Sequence, residues 1–179
     1  MANDKSVSNK GFYTIPFVWN RRLWAMTFAF FVLWIGVAGW MLYQLICVNM
    51  VTASLISFIL FNVVMLAMIL GCEGFAPQRL EVGESKIVIL RRYKSITIGR
   101  EEIDSIVRLP KNAMFGAVRT GGVGGLFGYY GKYYTRGLGH FMLYATTYEN
   151  LFMISKTDGQ RVVISCSDPD VLEKFYKIE

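Results

Sequence analysis

The chain has 179 residues, with 19 Lys and Arg, 13 Asp and Glu, one His, three Cys and a formal net charge of +6. That length suits one or two domains and leaves no room for a large barrel enzyme. Hydrophobic residues make up 54% and charged residues 18%, and the deficit of charge is concentrated: between Arg22 and Glu73 a run of 50 residues carries no Asp, Glu, Lys, Arg or His, which excludes an ordinary soluble core. Cys47, Cys72 and Cys166 are too few and too scattered for a disulfide framework, and no pair has C-x-x-C spacing.

In chain order, residues 1–22 read as a tail and 23–72 as a transmembrane helical hairpin. One helix of that length would measure ~75 Å against a hydrocarbon core of ~30 Å, so the run must fold back. The predicted spans are 23–43 and 50–70, joined by the uncharged turn 44–49. Trp19 and Trp24 mark the entry and Trp40 and Tyr43 the far side, as amphipathic rings favour both interfaces. A cleaved signal peptide ending near Val37-Ala38-Gly39 ranks behind this reading, because the apolar stretch exceeds the roughly 7–15 residues of a signal core and continues into a second span. Lys5, Lys10, Arg21 and Arg22 precede the first span, and Arg79, Lys86, Arg91, Arg92 and Lys94 follow the second. The connecting turn has no positive charge, so both termini are expected in the cytoplasm. Asn62, with Ala53, Ser54 and Ser57, reads as helix-pairing glue, worth ~1 kcal/mol per interhelical hydrogen bond.

From residue 73 to 179 the texture is that of a small β domain. About seven strands are predicted, at 79–82, 86–91, 95–98, 103–109, 140–146, 151–156 and 160–166. Gly83-Glu84 and Tyr93-Lys94 supply the first reversals, and Asp158-Gly159 predicts a two-residue hairpin turn. Asp168-Pro169-Asp170 then opens a helix whose apolar face is Val171, Leu172, Phe175 and Ile178. So short a helix must pack on the sheet, where it would cap an open end.

Residues 110–139 do not fit a minimal meander. Nine glycines fall between Gly116 and Gly139, including Gly121, Gly122, Gly124, Gly125, Gly128 and Gly131, interleaved with Phe115, Phe127, Tyr129, Tyr130, Tyr133 and Tyr134. They predict a glycine loop that docks through its aromatics on the domain, a partner or the membrane surface. Phosphate-cradle motifs fail here. A dinucleotide fingerprint would need Gly or Ala at Phe127, and a P-loop at Gly131-Lys132 would need Gly at Leu126 and Ser or Thr at Tyr133.

The run from Gly121 to Tyr133, with Leu138-Gly139-His140-Phe141, Tyr144-Ala145-Thr146, Asn150-Leu151, Asp158-Gly159, Ile164-Ser165 and Asp168-Pro169, resembles the bacterial pleckstrin-homology-like (PH-like) domain family. The resemblance spans about residues 75–178. It implies about seven antiparallel strands in a bent sheet or barrel, a capping C-terminal helix, frequent attachment to transmembrane helices and no general enzymatic activity. It also implies the inner membrane of a bacterium as the location. Phosphoinositide-binding relatives place basic residues around the first hairpin loop, whereas Gly83-Glu84-Ser85 is short and acidic, so that recognition is unsupported.

Catalytic material is sparse. His140 opens a predicted strand, and Glu101, Glu102 and Asp104 read as a solvated face, so neither a catalytic centre nor a metal site is expected, and no cofactor is implied. No acid lies between Asp104 and Glu149, whereas Arg108, Lys111, Arg119, Lys132 and Arg136 do. Arg119, Lys132 and Arg136 are the candidate electrostatic contacts, and Tyr129, Tyr130 and Tyr133 the candidate apolar contacts. The expected function is a non-enzymatic, membrane-anchored interaction module at the cytoplasmic face. Its expected partners are membrane lipids, an unidentified protein or a second copy, with no nucleic acid and no small-molecule substrate. A transport or channel subunit is the alternative, and a membrane enzyme the more distant one.

Overall fold

The computed structural model describes residues 7–8, 11–47 and 52–178. Its elements are β1 (Val7–Ser8), β2 (Phe12–Pro16), α1 (Arg21–Cys47), α2 (Thr52–Phe75), β3 (Arg79–Val82), β4 (Lys86–Leu90), β5 (Ile96–Gly99), β6 (Ile103–Arg108), β7 (Val118–Gly124), β8 (Tyr129–Thr135), β9 (Gly139–Ala145), β10 (Leu151–Lys156), β11 (Arg161–Ser165) and α3 (Pro169–Phe175). All seven predicted strands are present; β1, β2, β7 and β8 are additional.

Helix α1 starts where Asn20 Oδ1 accepts the Leu23 N–H at 2.8 Å, the side-chain cap a helix start requires. It runs through residues 44–47, placed in the turn by the sequence, because nothing from Gln44 to Cys47 breaks a helix. Residues 48–51, which hold the rest of that turn and the first two residues of the predicted second span, lie outside the described residues, as do Lys5 and Lys10. Helix α2 passes the predicted end at residue 70 and stops at Phe75, one residue before the Ala76-Pro77 pair that disfavours helical backbone. Both helices are long and apolar enough to cross a membrane. Asn62 does not reach across the pair: its Nδ2 donates to the Phe58 carbonyl of its own helix at 2.9 Å.

The first sheet has the order β1-β2-β3-β4-β5, antiparallel throughout. Residues 1–22 are therefore more than a tail. Phe12, Tyr13, Thr14 and Ile15 have strand-favouring side chains, and they pair with β3 in the register Tyr13↔Val82 to Pro16↔Arg79. The second sheet has the order β6-β10-β11-β9-β8-β7. It departs from the all-antiparallel expectation at one place, where β11 folds back from β10 into the gap beside β9 and so runs parallel to it. Neither sheet closes into a barrel. Instead, Ile178, just beyond α3, bridges Ile106 on the β6 edge.

The β10–β11 turn also differs in detail. Lys156 and Gln160 face each other across three residues, Gly159 N–H donates to the Lys156 carbonyl at 2.9 Å, and only Gly159 has positive φ, +82°. This is a type I turn followed by a left-handed residue rather than a two-residue loop.

Two cores result. Leu80, Val82, Ile87, Ile89 and Ile98 of the first sheet meet Tyr130, Tyr144, Phe152, Ile154 and Ile164 of the second, with Leu172 of α3 closing the end. On the far face of the second sheet, Tyr129, Tyr133, Phe141, Leu143 and Val163 form a separate core sealed by Leu23 of α1 and by Met114 and Ala117 of the β6–β7 connection. At ~1.5–3 kcal/mol per large apolar side chain taken from water, both cores are substantial.

Candidate functional site

The predicted glycine loop is a hairpin. Strands β7 and β8 pair from Val118↔Tyr134 to Gly124↔Tyr129, with one irregularity between Arg119 and Gly121. At the pair Gly122↔Gly131 both residues have positive φ, +113° and +122°. A Cβ on Gly122 would lie 2.3 Å from the Tyr130 carbonyl oxygen, and one on Gly131 equally close to that of Gly121. Glycine is required there because two backbones pass where no side chain fits. The turn is closed by Gly125 N–H donating to the Gly128 carbonyl at 2.9 Å.

This hairpin docks on both long helices. Thr27 of α1 is buried, its hydroxyl lying 3.4 Å from the Gly125 carbonyl, to which it donates, and 3.4 Å from the Phe127 N–H, which it accepts. The Phe127 ring, on left-handed backbone at φ 60°, stands edge-on to Trp19 and Phe31 with centroids 6.0 and 6.3 Å apart. On the other side the Tyr130 hydroxyl donates to the Cys72 carbonyl at 2.5 Å. The last four carbonyls of a helix lack internal partners. Here Tyr130 serves Cys72, the Ala76 N–H serves Glu73 at 3.2 Å, and the Tyr93 N–H serves Gly74 at 3.1 Å. The approach to α1 is tied down as well: the Thr146 hydroxyl donates to the Val18 carbonyl at 2.8 Å.

The candidate tyrosines Tyr129, Tyr130 and Tyr133 are all buried. They are interior residues, so the contact surface expected of them is spent on the two cores. Burial pushes all three hydroxyls above the ordinary phenol range, keeping them neutral donors at physiological pH. Arg119, Lys132 and Arg136 are exposed but do not converge. Arg119 lies beside Gly124 and the Tyr133 hydroxyl. Lys132 shares a shallow depression with His140 and Met142, while Arg136, on the β8–β9 turn, lines a groove of about 740 Å³ with Phe115, Val118 and Tyr134. Phe115 is 92% exposed.

His140 packs its ring against Tyr134, centroids 4.8 Å apart. Glu102 is engaged by Lys156 at 2.9 Å. Burial raises the Cys166 thiol to about 11, which makes it a poor nucleophile. Among the described residues no group of three or more His, Cys, Asp or Glu gathers. Sequence reasoning missed Leu23 and Thr27, and counted Phe127 among the docking aromatics without saying what it meets. The available signal was Asn20, a capping residue directly before the apolar run.

A family profile described as bacterial PH domain matches residues 78–179. No curated protein and no solved structure matches the chain. The matched region begins at the start of β3, so β2 and both long helices lie outside it. The match covers more than half of the chain, carrying strands β3 to β11 and the C-terminal helix, and the chain thus belongs to the bacterial PH domain family.

Proposed function

We propose that the chain is a membrane-anchored, non-enzymatic interaction module, with its PH-like domain held against the cytoplasmic face of a bacterial inner membrane. The docking of the helix ends carries this reading. Hydrogen bonds and core packing from the domain hold residues 23–27 of α1 and 72–74 of α2, and Phe127 touches Phe31 one turn further along α1. About 20 residues of each helix lie beyond those hydrogen bonds, and at 1.5 Å per residue these reach ~30 Å, the thickness of the hydrocarbon core. Arg21, Arg22, Arg79, Arg91, Arg92 and Lys94 all flank the domain-side ends, which favours a cytoplasmic domain. Asn62, bonded within its own helix, supports an anchor over an ion pathway.

The contact surface is the rim around Phe115, Val118, Tyr134 and Arg136. Arg136 lies six residues after Tyr130, just past the end of β8 and ~20 Å away at strand rise, whereas charges are screened within about 8–10 Å at cellular salt. A basic residue so far from the helix dock suits a protein partner better than the bilayer surface. Exposed aromatic side chains with an adjacent Arg are the usual anchors of such contacts.

Labelling tests the placement. In a Cys47→Ser background, Arg136→Cys should react with a membrane-impermeant thiol reagent only after cells are broken; reaction in intact cells would refute the topology. A Phe115→Ser, Arg136→Glu double variant should lose the protein that co-purifies with the wild type from detergent-solubilised membranes. Unchanged recovery of that protein would remove the rim from the proposal.

A further inference from the structure

An open groove of about 460 Å³ runs between the end of α2 and the second sheet. Met68, Gly71 and Phe75 form one wall and Val123, Met142 and Tyr144 the other. Its size falls within the ~300–1,000 Å³ typical of small-molecule sites. A Cβ built on Gly71 meets nothing within 4 Å, so nothing fills the groove beside the helix. Val64 and Met68, both exposed, continue the helical row i, i+4 upward from Cys72 and give the groove an apolar track along α2.

The polar groups at the groove are few and differ in kind. The Tyr130 hydroxyl is already committed to the Cys72 carbonyl. Arg91 spans the rim, its guanidinium carbon 5.7 Å from the Phe75 ring centroid and 5.6 Å from that of Tyr144. Its Nε donates to the Lys94 carbonyl, and among the described residues no carboxylate pairs with it, whereas neighbouring Arg92 is bridged to Glu73 at 3.0 Å. A guanidinium offers several donors in a fixed fork that matches phosphate. An apolar helix from a second copy would leave that charge unmatched.

We infer that this groove seats an acyl chain of an anionic phospholipid whose phosphate rests on Arg91. The inference relies on the anchored reading above, which puts Met68 inside the hydrocarbon and Arg91 at headgroup depth. It makes the anchor itself lipid-selective, at a place separate from the protein-binding rim.

The test uses the full chain in mild detergent, delipidated and then offered phosphatidylglycerol or phosphatidylcholine, with retained lipid counted by native mass spectrometry. Wild type should retain phosphatidylglycerol at least five-fold better than phosphatidylcholine. Gly71→Leu, which fills open space, should lower retention of both at least five-fold. Arg91→Gln should retain lipid but lose the headgroup preference. Wild-type retention and preference in both variants, at unchanged thermal midpoints, would overturn the inference; if Gly71→Leu unfolds, the preference of Arg91→Gln decides alone. If Arg136→Cys is labelled only in broken cells and lipid retention is indifferent to both changes, the groove inference alone fails. Labelling in intact cells defeats the anchored reading itself.

Discussion

The two sheets bury different numbers of faces. In the first, Ile87 and Ile89 point into the shared core, while Glu81, Val88 and Thr97 share the opposite face, where Val88 alone of the three is buried. In the second, Tyr130 and Tyr144 enter the shared core while Tyr129, Tyr133 and Leu143 enter another. The first sheet needs one cover, and the second needs two. Its second cover comes from Leu23 of α1 and from the β6–β7 connection, so the twice-buried sheet joins the domain to the long helices. The second sheet thus fixes how the domain meets the two long helices.

The largest expected loss comes from interrupting the second sheet where its backbones cross. Gly131→Val puts a branched side chain at φ +122° against the Gly121 carbonyl and should cost about 5 kcal/mol, enough to unfold a marginal domain. Gly121→Ala, in the same motif but with nothing within 4 Å of its Cβ, should stay within about 0.5 kcal/mol. Limited proteolysis of the two variants checks the contrast; equal resistance would mean that the crossing does not constrain the fold.

A smaller effect separates the two parts of α1. Leu23 is 0% exposed and Leu33 is 68% exposed. Leu23→Ala should cost about 3 kcal/mol in denaturant unfolding of the domain. Leu33→Ala, which removes only contact with its apolar surroundings, should cost less than about 0.5 kcal/mol. Gly159→Ala on the β10–β11 turn should cost less than Leu23→Ala, about 1 kcal/mol for placing a Cβ at φ +82°. That value should leave α1 docking unchanged in the same experiment.

What the residues disclosed follows the same division. Seven of the nine strands between residues 79 and 166 were legible because their alternation or apolar runs are local. Strand β2 was not, since Phe12–Pro16 finds its partner Arg79–Val82 across both long helices. The hairpin β7–β8 carried a strand signal in Tyr129-Tyr130 and Tyr133-Tyr134, but the density of glycine outweighed it. The glycines mark the close backbone crossing rather than a loop. The pairing of Thr27 with Gly125 spans about a hundred residues, and no local pattern encodes a contact at that separation. Charge was legible as composition only: Arg119, Lys132 and Arg136 form one basic stretch in sequence and three separate places in space.

The weakest effect is a pH dependence at the tip of β10–β11. Asp158 Oδ1 accepts the Gln160 N–H at 2.9 Å and Oδ2 lies 3.4 Å from Lys156 Nζ, which together hold the carboxyl below the ordinary 3.8. A carboxylate with a lowered folded-state pKa contributes stability that is complete above the unfolded value and is lost as pH falls through the folded one. Lys156 is shifted the other way, first through its hydrogen bond to Glu102 and then through Asp158, so its contribution is complete below the unfolded value near 10.5 and is lost as pH rises through the folded one. The hairpin tip should therefore be firmest between these limits and loosen at both. Carboxyl NMR should place the Asp158 titration below 3.8, Asp158→Asn should flatten the acid limb and reduce the alkaline one without abolishing it, because Glu102 still holds Lys156, and Lys156→Gln should abolish the alkaline limb while weakening the acid one, because the ammonium also supports the Asp158 carboxylate. An acid limb unaffected by Lys156→Gln would show that the turn is held by the Gln160 amide alone.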